Sequence, residues 1–370
     1  MRSSATMAHV AARAGVAVST VSHVVNGTRP VSTSTRERVQ RAIEDTGYLP
    51  NRVARSLVTS DTHLIGIVMS ALTNRFFVPV VAAIDRAGRR QGYSSVLADS
   101  RDQVSYEAEA VNTLLSRRVD GVMLAPMAGD RRPVLDKLLA ERIPTVLIDR
   151  FADDRFDQVG VENVQAMASL VEHLAGLGHT RIALVSGLRG LSTTAERVAG
   201  YELGLKQAGM VPSRELVVSG KSAAAPAERA VRELLARKHP PTAIISGNNY
   251  MTIGVLRALR AQGARVPEDI AVVAYDDVEF ADVFQPRLTV IAQPVAQIAS
   301  TAVDLLIKRM TGKGAALDPQ RIQLPGTFVH RESCGCTLGR GSEAPALSPG
   351  ARKSNGARVG ALARTGEPGK

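Results

Sequence analysis

The residues near the start of the chain that could do chemistry lie between positions 18 and 26. Val21, Val24 and Val25 recur at helical spacing, and residues three and four apart are neighbours on a helix surface. This spacing gathers the remaining side chains on the opposite face: Val18, Ser19, Ser22, His23 and Asn26. A short helix with such a face, following a tight turn, is typical of a module that enters the major groove of DNA.

The elements that must position this face are short helices. An apolar periodic segment at 7–14 stops at Gly15, and the next segment begins after Ala17, whose side chain cannot cap a helix. A third helix is predicted to begin at Ser32 and to end at Gly47. The pattern predicts a three-helix helix-turn-helix head. The alternative, an ordinary helical hairpin within a core, leaves the basic polar face unexplained.

The charge of the chain is concentrated at its two ends. The net charge is +11 over 370 residues, with 8 arginines against 3 acidic residues in 1–60 and 6 basic against 2 acidic residues in 338–370. Positive ends on a nearly neutral body favour contact with a polyanion. A solvated face explains the tail at 338–370 equally well, and its Gly-, Ala- and Ser-rich composition predicts disorder. In the head, Arg29 lies in the loop just after the helix that is predicted to enter the groove, so its charge favours DNA.

The composition argues against several classes of protein. No apolar run reaches the length of a membrane span, and the first residues do not form a signal peptide. The only cysteines are Cys334 and Cys336, which favours a reducing cytoplasm, and two sulfurs cannot by themselves complete a four-ligand zinc site. With no nucleophile elbow or phosphate-cradling loop, and His179 interpreted as a structural cap, we expect neither an enzyme nor a metal or cofactor site.

A short linker follows the head, and we expect it to fold into a helix only when it contacts a partner. Pro50 keeps the residue before it extended, and Asn51 is a good cap for a helix of only about two turns. A helix that short should form only against a partner. Leu57 is then either a wedge between base steps in the minor groove or a residue that packs on the next domain.

From Leu64 onwards, short apolar runs alternate with amphipathic stretches. The predicted strands are Leu64–Met69, Ser95–Ala98, Gly121–Ala125, Thr145–Ile148, Ile182–Ser186, Thr242–Ser246, Ile270–Ala274 and Leu288–Ile291. The predicted helices are 77–91, 104–117, 164–177, 195–209, 225–237, 250–262 and 294–311. This alternation predicts an α/β fold with doubly wound parallel sheets divided between two lobes.

Polar and aromatic residues recur just after these strands, where α/β sheets bind ligands. They are Asn74-Arg75-Phe76-Phe77, Asp149-Arg150, Ser192-Thr193 with Arg197, Asn248-Asn249-Tyr250, Asp276-Asp277 and Gln293. Rings, amides, hydroxyls, carboxylates and a guanidinium suit a small polyhydroxylated or heterocyclic ligand. The alternative for each residue is an ordinary loop or cap role.

The head resembles the lac repressor/galactose repressor family. The resemblance is carried by Val10-Ala11-Ala12-Arg13-Ala14-Gly15-Val16, Ser19-Thr20-Val21-Ser22-His23-Val24-Val25-Asn26 and Asn51-Arg52-Val53-Ala54-Arg55-Ser56-Leu57. It implies base reading by Val18, Ser19 and His23, with Leu57 inserted at the centre of a palindrome. His23 can donate to guanine, Ser19 can bond either kind of base edge, and Val18 can touch a thymine methyl.

The resemblance continues over 62–333. It is carried by Asn74-Arg75-Phe76-Phe77, Val119-Asp120-Gly121, Leu177-Gly178-His179-Thr180-Arg181-Ile182, Glu196-Arg197-Val198-Ala199-Gly200-Tyr201, Val266-Pro267-Glu268-Asp269-Ile270 and Tyr275-Asp276-Asp277. It implies a periplasmic-binding-protein-like effector domain with ligand roles for Phe76, Phe77, Arg197, Asn248 and Asp276. Leu191 and Ser222 depart from the purine repressor's pattern, so we expect a sugar or sugar derivative.

Together these inferences predict a cytoplasmic homodimeric regulator, more specifically a repressor, that binds palindromic double-stranded DNA under control of a small effector. The predicted domains are a head at 1–50, a hinge at 51–61, an effector and dimerisation domain at 62–337, and a tail at 338–370. The predicted DNA contacts are Val18, Ser19, Ser22, His23, Asn26, Arg29, Arg55 and Leu57. The predicted effector contacts are Phe76, Phe77, Asp149, Thr193, Arg197, Asn248 and Asp276. The competing interpretations are a solute-binding protein and an α/β enzyme with an accessory head.

Overall fold

The computed structural model describes residues 5–27, 29–48, 61–70, 74–129, 132–278, 281–283, 285–312, 314 and 317–336. These residues form a head of three helices and two parallel-dominated sheets with helices on both faces. The predicted α/β fold with a helix-turn-helix head is confirmed. Within the described ranges, no helix is both long and apolar enough to cross a membrane.

The head consists of α1 (Met7–Ala14), α2 (Val18–Asn26) and α3 (Thr33–Thr46). Gly15 ends α1 with φ of 65°, a left-handed conformation that suits glycine and forms the turn before α2. Its core is small and contains Val10, Ala11, Ala14, Val21, Val39, Ala42 and Tyr48. As predicted, Ala17 makes no side-chain bond to α2, whereas Ser32 accepts a hydrogen bond from the Thr35 amide at 3.4 Å.

Lobe 1 is built on one parallel sheet. Its strands are β1 (Leu64–Met69), β2 (Ser94–Asp99), β3 (Gly121–Leu124), β4 (Thr145–Ile148), β5 (Asp157–Val161) and β11 (Arg321–Leu324), in the order β11-β5-β4-β3-β1-β2. One face is covered by α4 (Phe77–Arg90) and α11 (Val295–Met310), the other by α5 (Val104–Ser116) and α6 (Arg132–Ala140).

Lobe 2 repeats this arrangement. Its strands are β6 (Ile182–Ser186), β7 (Val217–Ser219), β8 (Ala243–Ser246), β9 (Ala271–Tyr275), β10 (Thr289–Ala292) and β12 (Thr327–Val329), in the order β12-β10-β9-β8-β6-β7. Only β12 runs antiparallel to its neighbour among these described strands. One face is covered by α7 (Val164–Gly176) and α8 (Ser192–Gln207), the other by α9 (Ala224–Leu235) and α10 (Asn249–Ala261).

The chain passes between the lobes three times, at residues 162–163, 293–294 and 325–326. The first passage leaves the carboxyl end of β5, and the second leaves the carboxyl end of β10. The carboxyl ends of the parallel strands in both lobes therefore face the same space. This space is the position in which open α/β sheets bind their ligands.

Four strands were not predicted, namely β5, β7, β11 and β12, because they are short or carry polar side chains. The clearest case is Asp157 in β5, which is only 2% exposed. Its carboxylate accepts hydrogen bonds from Arg309 Nε at 2.7 Å and from the Gln320 amide at 2.8 Å. A buried charge with such partners is tolerated in a sheet, although its residue type interrupts the apolar run.

Candidate functional site

The predicted DNA-reading face lies on the exposed side of α2. Val18 is 48% exposed and the neighbouring Ser19 is also exposed, whereas Val21 is fully buried in the head core. Ser22 and Asn26 are half-buried, and Asn26 Nδ2 donates a hydrogen bond to Ser22 Oγ at 3.1 Å. The side chains at the amino-terminal end of α2 are therefore the most exposed on this face, and this is the end that helix-turn-helix proteins present to base edges.

A groove beside this face carries positive charge. His23, Arg29 and Arg38 line it together with residues at the start of α3. Guanidinium groups next to a groove-reading helix are suited to phosphate contacts, which position a protein on the duplex. Arg13, by contrast, lies 2.7 Å from Asp45 in an ion pair between α1 and α3, so its charge is used within the head.

The hinge contacts predicted from the sequence, Arg55 and Leu57, lie outside the described residues. The minor-groove wedge at Leu57 therefore stays a prediction, as does its alternative of packing on the next domain. The tail at 338–370 also lies outside them.

Between the lobes lies a polar cleft that contains most of the predicted effector residues. It is lined from lobe 1 by Asn74, Phe76, Asp102, Asp149 and Arg150, and from lobe 2 mainly by Ser186, Thr193, Arg197, Ser222, Asn248 and Asp276. Thr193 and Asn248 are both nearly buried. The Oδ1 of Asn248 accepts a hydrogen bond from the Met251 amide at 2.8 Å and caps α10, which leaves the amide nitrogen as a donor for a ligand.

Two aspartates occupy equivalent positions in the two lobes. Asp149 directly follows β4 and Asp276 directly follows β9, the third strand from the edge in each sheet. Both have left-handed backbones, with φ of 67° and 76°, a conformation that aspartate tolerates better than most residues and that is concentrated at functional sites. The fold therefore brings two carboxylates to the cleft from opposite sides.

A buried guanidinium organises the lobe 2 side of the cleft. Arg197 donates from Nε to Asn163 Oδ1 at 2.9 Å and from a terminal nitrogen to the Gly247 carbonyl at 2.6 Å. Its guanidinium carbon lies 3.7 Å from the centre of the Tyr275 ring. These contacts hold a nearly buried positive charge in one orientation, which is the preorganisation that recognition of a small ligand requires.

A second buried guanidinium, that of Arg150, lies on the lobe 1 side of the cleft. Arg150 is 5% exposed and donates to the Pro126 carbonyl at 3.2 Å and to Asp102 Oδ1 at 3.1 Å. Its Nε lies 3.6 Å from Asp149 Oδ2. Asp102 was not predicted, although it lies just after β2 and the rule that found the other strand-end residues would have found it too.

The two aromatic residues after β1 play different parts. Phe76 is half-buried and lines the cleft. Phe77 is 1% exposed and lies in the core of lobe 1, with its ring centre 5.3 Å from that of Phe76 and 5.5 Å from the guanidinium of Arg150. Phe77 therefore supports Phe76 and Arg150 from behind, and in this arrangement it is not part of the cleft wall.

The electrostatics of the cleft affect Asp149 most. Burial raises the pKa of Asp149 to about 6, against the opposing attraction of Arg150 and Arg197. Repulsion from Asp276 and Glu196 adds to the rise. A carboxyl with this pKa changes charge near neutral pH, so its capacity to accept hydrogen bonds depends on pH.

The cleft is nearly closed. Its free volume is about 40 Å³, and a single water molecule needs roughly 10–15 Å³ of such volume. A ligand of the size of a monosaccharide therefore enters only when the lobes or the lining side chains move.

The fold and the two sites define a class of protein: a groove-reading head joined to a two-lobed domain with a polar cleft. Residues 6–51 match the model of bacterial regulatory proteins of the lacI family, and residues 171–334 match a periplasmic binding protein-like domain. The chain is 35% identical over 332 residues to the ribose operon repressor of Escherichia coli (strain K12), covering 89% of this chain and 99% of that protein. The chain belongs to the lacI family of bacterial regulatory proteins, and the predicted resemblance is confirmed.

Other regulatory proteins are similar to this chain over most of its length. The HTH-type transcriptional repressor PurR of Vibrio atlanticus (strain LGP32) is 32% identical over 312 residues, which is 84% of this chain and 93% of that protein. The lac repressor dimer bound to operator and the anti-inducer ONPF superposes with a TM-score of 0.80 at 31% identity, covering 90% of this chain and 99% of that chain. The complex of the transcriptional regulator CelR with cellobiose gives a TM-score of 0.68 at 33% identity, with coverages of 89% and 99%.

Proposed function

We propose that this protein is a cytoplasmic transcriptional repressor without catalytic activity, which binds a palindromic DNA site as a homodimer and releases or grips it according to a sugar in the cleft. The observation that carries the proposal is the combination, in one chain, of the exposed α2 face and a nearly closed polar cleft. The names of the similar proteins mention an operator, a dimer, cellobiose and ribose, and so support the DNA site, the homodimer and the sugar of the proposal. The competing interpretations, a solute-binding protein and an enzyme, give no role to the head.

The chemistry of the cleft favours a polyhydroxylated ligand. Carboxylates at Asp149 and Asp276 accept hydrogen bonds from hydroxyl groups, and the guanidinium of Arg197 donates to sugar oxygens. The ring of Phe76 offers a flat apolar surface for the carbon face of a sugar ring. The cleft contains both carboxylates and guanidinium groups, so a neutral ligand suits it better than a highly charged one.

Closure of the cleft supplies the coupling to DNA. The free volume is so small that the lobes or the lining side chains must move to admit a sugar, and the proposed coupling requires that the lobes move. A ligand shifts an equilibrium only by its differential affinity for two states. Movement of one lobe about the three connections between them changes the positions of whatever the lobes hold, and this is how we propose that the cleft acts on the heads.

The dimer surface is proposed to lie on the side of both lobes formed by α4 and α10. An apolar groove there is lined by Val78, Pro79 and Ala82 from α4 and by Ile253 and Leu256 from α10. Val78 is 54% exposed. The groove continues across both lobes, so a second copy seated in it would respond to their relative movement. A two-fold dimer of heads matches a palindromic site.

Selection from random duplex DNA tests the proposal. We expect the full chain at low ionic strength to enrich palindromes, and the affinity to fall steeply as salt is raised, because phosphate contacts release counterions. The double variant Ser19→Ala/His23→Ala should lose the enrichment, whereas His239→Ala, an exposed change in lobe 2, should keep it. A thermal-shift screen of neutral sugars on the same protein then tests the cleft. The proposal is wrong if no duplex is enriched.

A further inference from the structure

A cluster of metal-ligating side chains lies in lobe 2, away from the cleft. It comprises His173 in the last turn of α7, His330 just after β12, and the buried Cys336. One ring nitrogen of each histidine and the sulfur of the cysteine all lie within 4.8 Å of one another. Val329 pairs with Val290 at the amino end of β10, so the cluster lies at the sheet edge opposite the cleft.

Each of the two imidazoles has a buried ring nitrogen that is available to a ligand. Nε2 of His173 and Nδ1 of His330 are buried, and neither has a hydrogen-bond partner within the described part of the chain. Buried polar atoms without a partner are rare in folded proteins, and each calls for an explanation such as an ion. The ring of Phe328 stacks on His330 with centres 4.2 Å apart and planes 14° apart, which holds that imidazole in position and covers it.

A second sulfur lies beside the first. Cys334 is 2% exposed and its Sγ lies 3.2 Å from Cys336 Sγ, with Gly335 between them at φ of 78°. Thr289 Oγ1 donates a hydrogen bond to Cys334 Sγ at 3.2 Å, a contact that would stabilise a thiolate. The left-handed turn at Gly335 therefore places a second sulfur beside Cys336, the member of the cluster that lies within 4.8 Å of both imidazoles.

We propose that His173, His330, Cys336 and Cys334 bind one zinc ion. Two nitrogens and two sulfurs are a ligand set that zinc prefers, in tetrahedral geometry. Bonds of about 2.0–2.3 Å place tetrahedral ligand atoms roughly 3.3–3.8 Å apart, so the ring nitrogens and Cys336 Sγ, now within 4.8 Å of one another, need to draw together by up to about 1.5 Å. Cys334 Sγ completes the set by turning from its place beside Cys336 towards the imidazoles. Binding releases the two thiol protons to solvent and leaves both sulfurs as thiolates.

The position of the site defines what the ion does. It joins the end of α7 to the segment 330–336, the last described part of the chain. These pieces are far apart in the sequence and are otherwise held by packing in the core of lobe 2. Since a metal that binds the folded state stabilises it by mass action, we expect zinc to stabilise lobe 2 and to leave the fold of the head unchanged.

Metal analysis of the full chain, purified without an affinity tag under reducing conditions, tests the site. We expect one zinc per chain after gel filtration. Replacement by Co²⁺ should give the intense near-ultraviolet thiolate band and the visible bands of a tetrahedral site with sulfur ligands. A chelator should lower the thermal midpoint of the lobes, and added zinc should restore it.

Single variants identify the ligands. His173→Phe keeps an aromatic ring among its neighbours and should weaken zinc binding at least 100-fold, whereas the exposed His239→Phe should bind like the parent. Cys336→Ser removes a ligand of a different type and should weaken both zinc binding and the Co²⁺ thiolate band, since Cys334 is then the only sulfur left in the ligand set. Circular dichroism establishes that each variant is folded. The proposal is overturned if the reduced protein neither retains nor takes up zinc, if both variants bind like the parent, or if the two cysteines form a disulfide that persists in reductant with zinc present.

Discussion

The head and the cleft perform recognition in opposite ways. In the head, the side chains that are proposed to read base edges come from one short helix, α2. They lie outside a core of only seven buried residues in the described part of the head. In the cleft, the recognising groups come from strand ends far apart in the sequence, and the charged ones, Asp149, Arg150, Arg197 and Asp276, are buried with polar partners. Gln293 Nε2, for example, donates to Asp276 Oδ1 at 2.6 Å across one of the connections between lobes.

The head and the cleft should therefore respond differently to substitution. An exposed reading face can lose a side chain without loss of fold, because surface substitutions usually change stability by less than about 0.5 kcal/mol, whereas the small core of the head has little stability in reserve. A buried polar network has the reverse property, since removal of one member leaves its partners unpaired. Changes in the two regions should therefore separate DNA binding from sugar binding.

The largest effect is expected at Arg197. Arg197→Met keeps the length of the side chain but leaves Asn163 and the Gly247 carbonyl without their donor. We expect sugar affinity to fall about 100-fold, or about 3 kcal/mol, because hydrogen bonds from a charged donor are worth about 1.5–3 kcal/mol each. Calorimetric titration with a sugar found in the screen measures it. Arg260→Met, an exposed change at the end of α10, is the control, and equal losses in the two variants would contradict the network.

Loss of stability in the head should come next. Val21 is fully buried in the head and Val18 is 48% exposed on the same helix. Val21→Ala should cost the head about 2 kcal/mol through the cavity it leaves, and so weaken DNA binding while the lobes melt and bind sugar as before. Val18→Ala should leave the head folded. Circular dichroism melts of both variants, together with operator titrations, measure these effects. A loss of sugar binding in Val21→Ala would contradict the independence of the cleft from the core of the head.

Base reading by His23 is expected to have a local effect. His23→Ala should cost about 1–3 kcal/mol, mainly at one base pair in each half-site, because a direct contact discriminates only where it is made. Competition binding with operators substituted at single positions measures the profile. A loss of the same size for every sequence would mean that His23 positions the head on phosphates.

The smallest effect is a pH dependence of the cleft. The pKa of Asp149 is raised from 3.8 to about 6 by burial, so below pH 6 most molecules lack the carboxylate that accepts sugar hydroxyls. Sugar affinity should rise about tenfold between pH 5 and pH 7. In sugar-free protein the sign is opposite for stability, which should fall as pH rises from 3.8 towards 6, because ionisation of a buried carboxyl is unfavourable.

Matched variants isolate this carboxyl. Asp149→Asn should bind sugar with a flatter pH profile over the same range, whereas Asp304→Asn, exposed on α11, should keep the slope. An unchanged slope in Asp149→Asn would assign the titration to another group.

The contrast between the regions also explains what could be predicted from the sequence. The helix-turn-helix depends on local spacing, so its turn at Gly15 and its uncapped helix after Ala17 were both predicted. The cleft depends on topology, and the rule that ligands bind after parallel strands led to Asp149, Arg197 and Asp276. The rule did not lead to Asp102, because this residue lies four positions beyond the end of the predicted strand Ser95–Ala98.

Contacts between distant segments could not be predicted in this way. Asp157 interrupts the apolar pattern of β5, and its distant partners Arg309 and Gln320 account for its burial. The cluster of His173, His330 and Cys336 was missed for the same reason, since counting sulfurs does not show which histidines the fold brings beside them. Such pairs become visible only when the sheet order is known.

Reciprocal coupling between the cleft and the heads is the defining property of a DNA-binding protein controlled by a sugar. If a sugar in the cleft changes the affinity of the heads for an operator by some factor, the operator must change the affinity for the sugar by the same factor. Fluorescence anisotropy of a selected operator with and without sugar, and sugar titration with and without operator, give the two numbers on one protein. We expect equal factors of about 5–150, the usual range for linked sites. Operator affinity that is indifferent to a sugar bound in the cleft would contradict this description of the molecule.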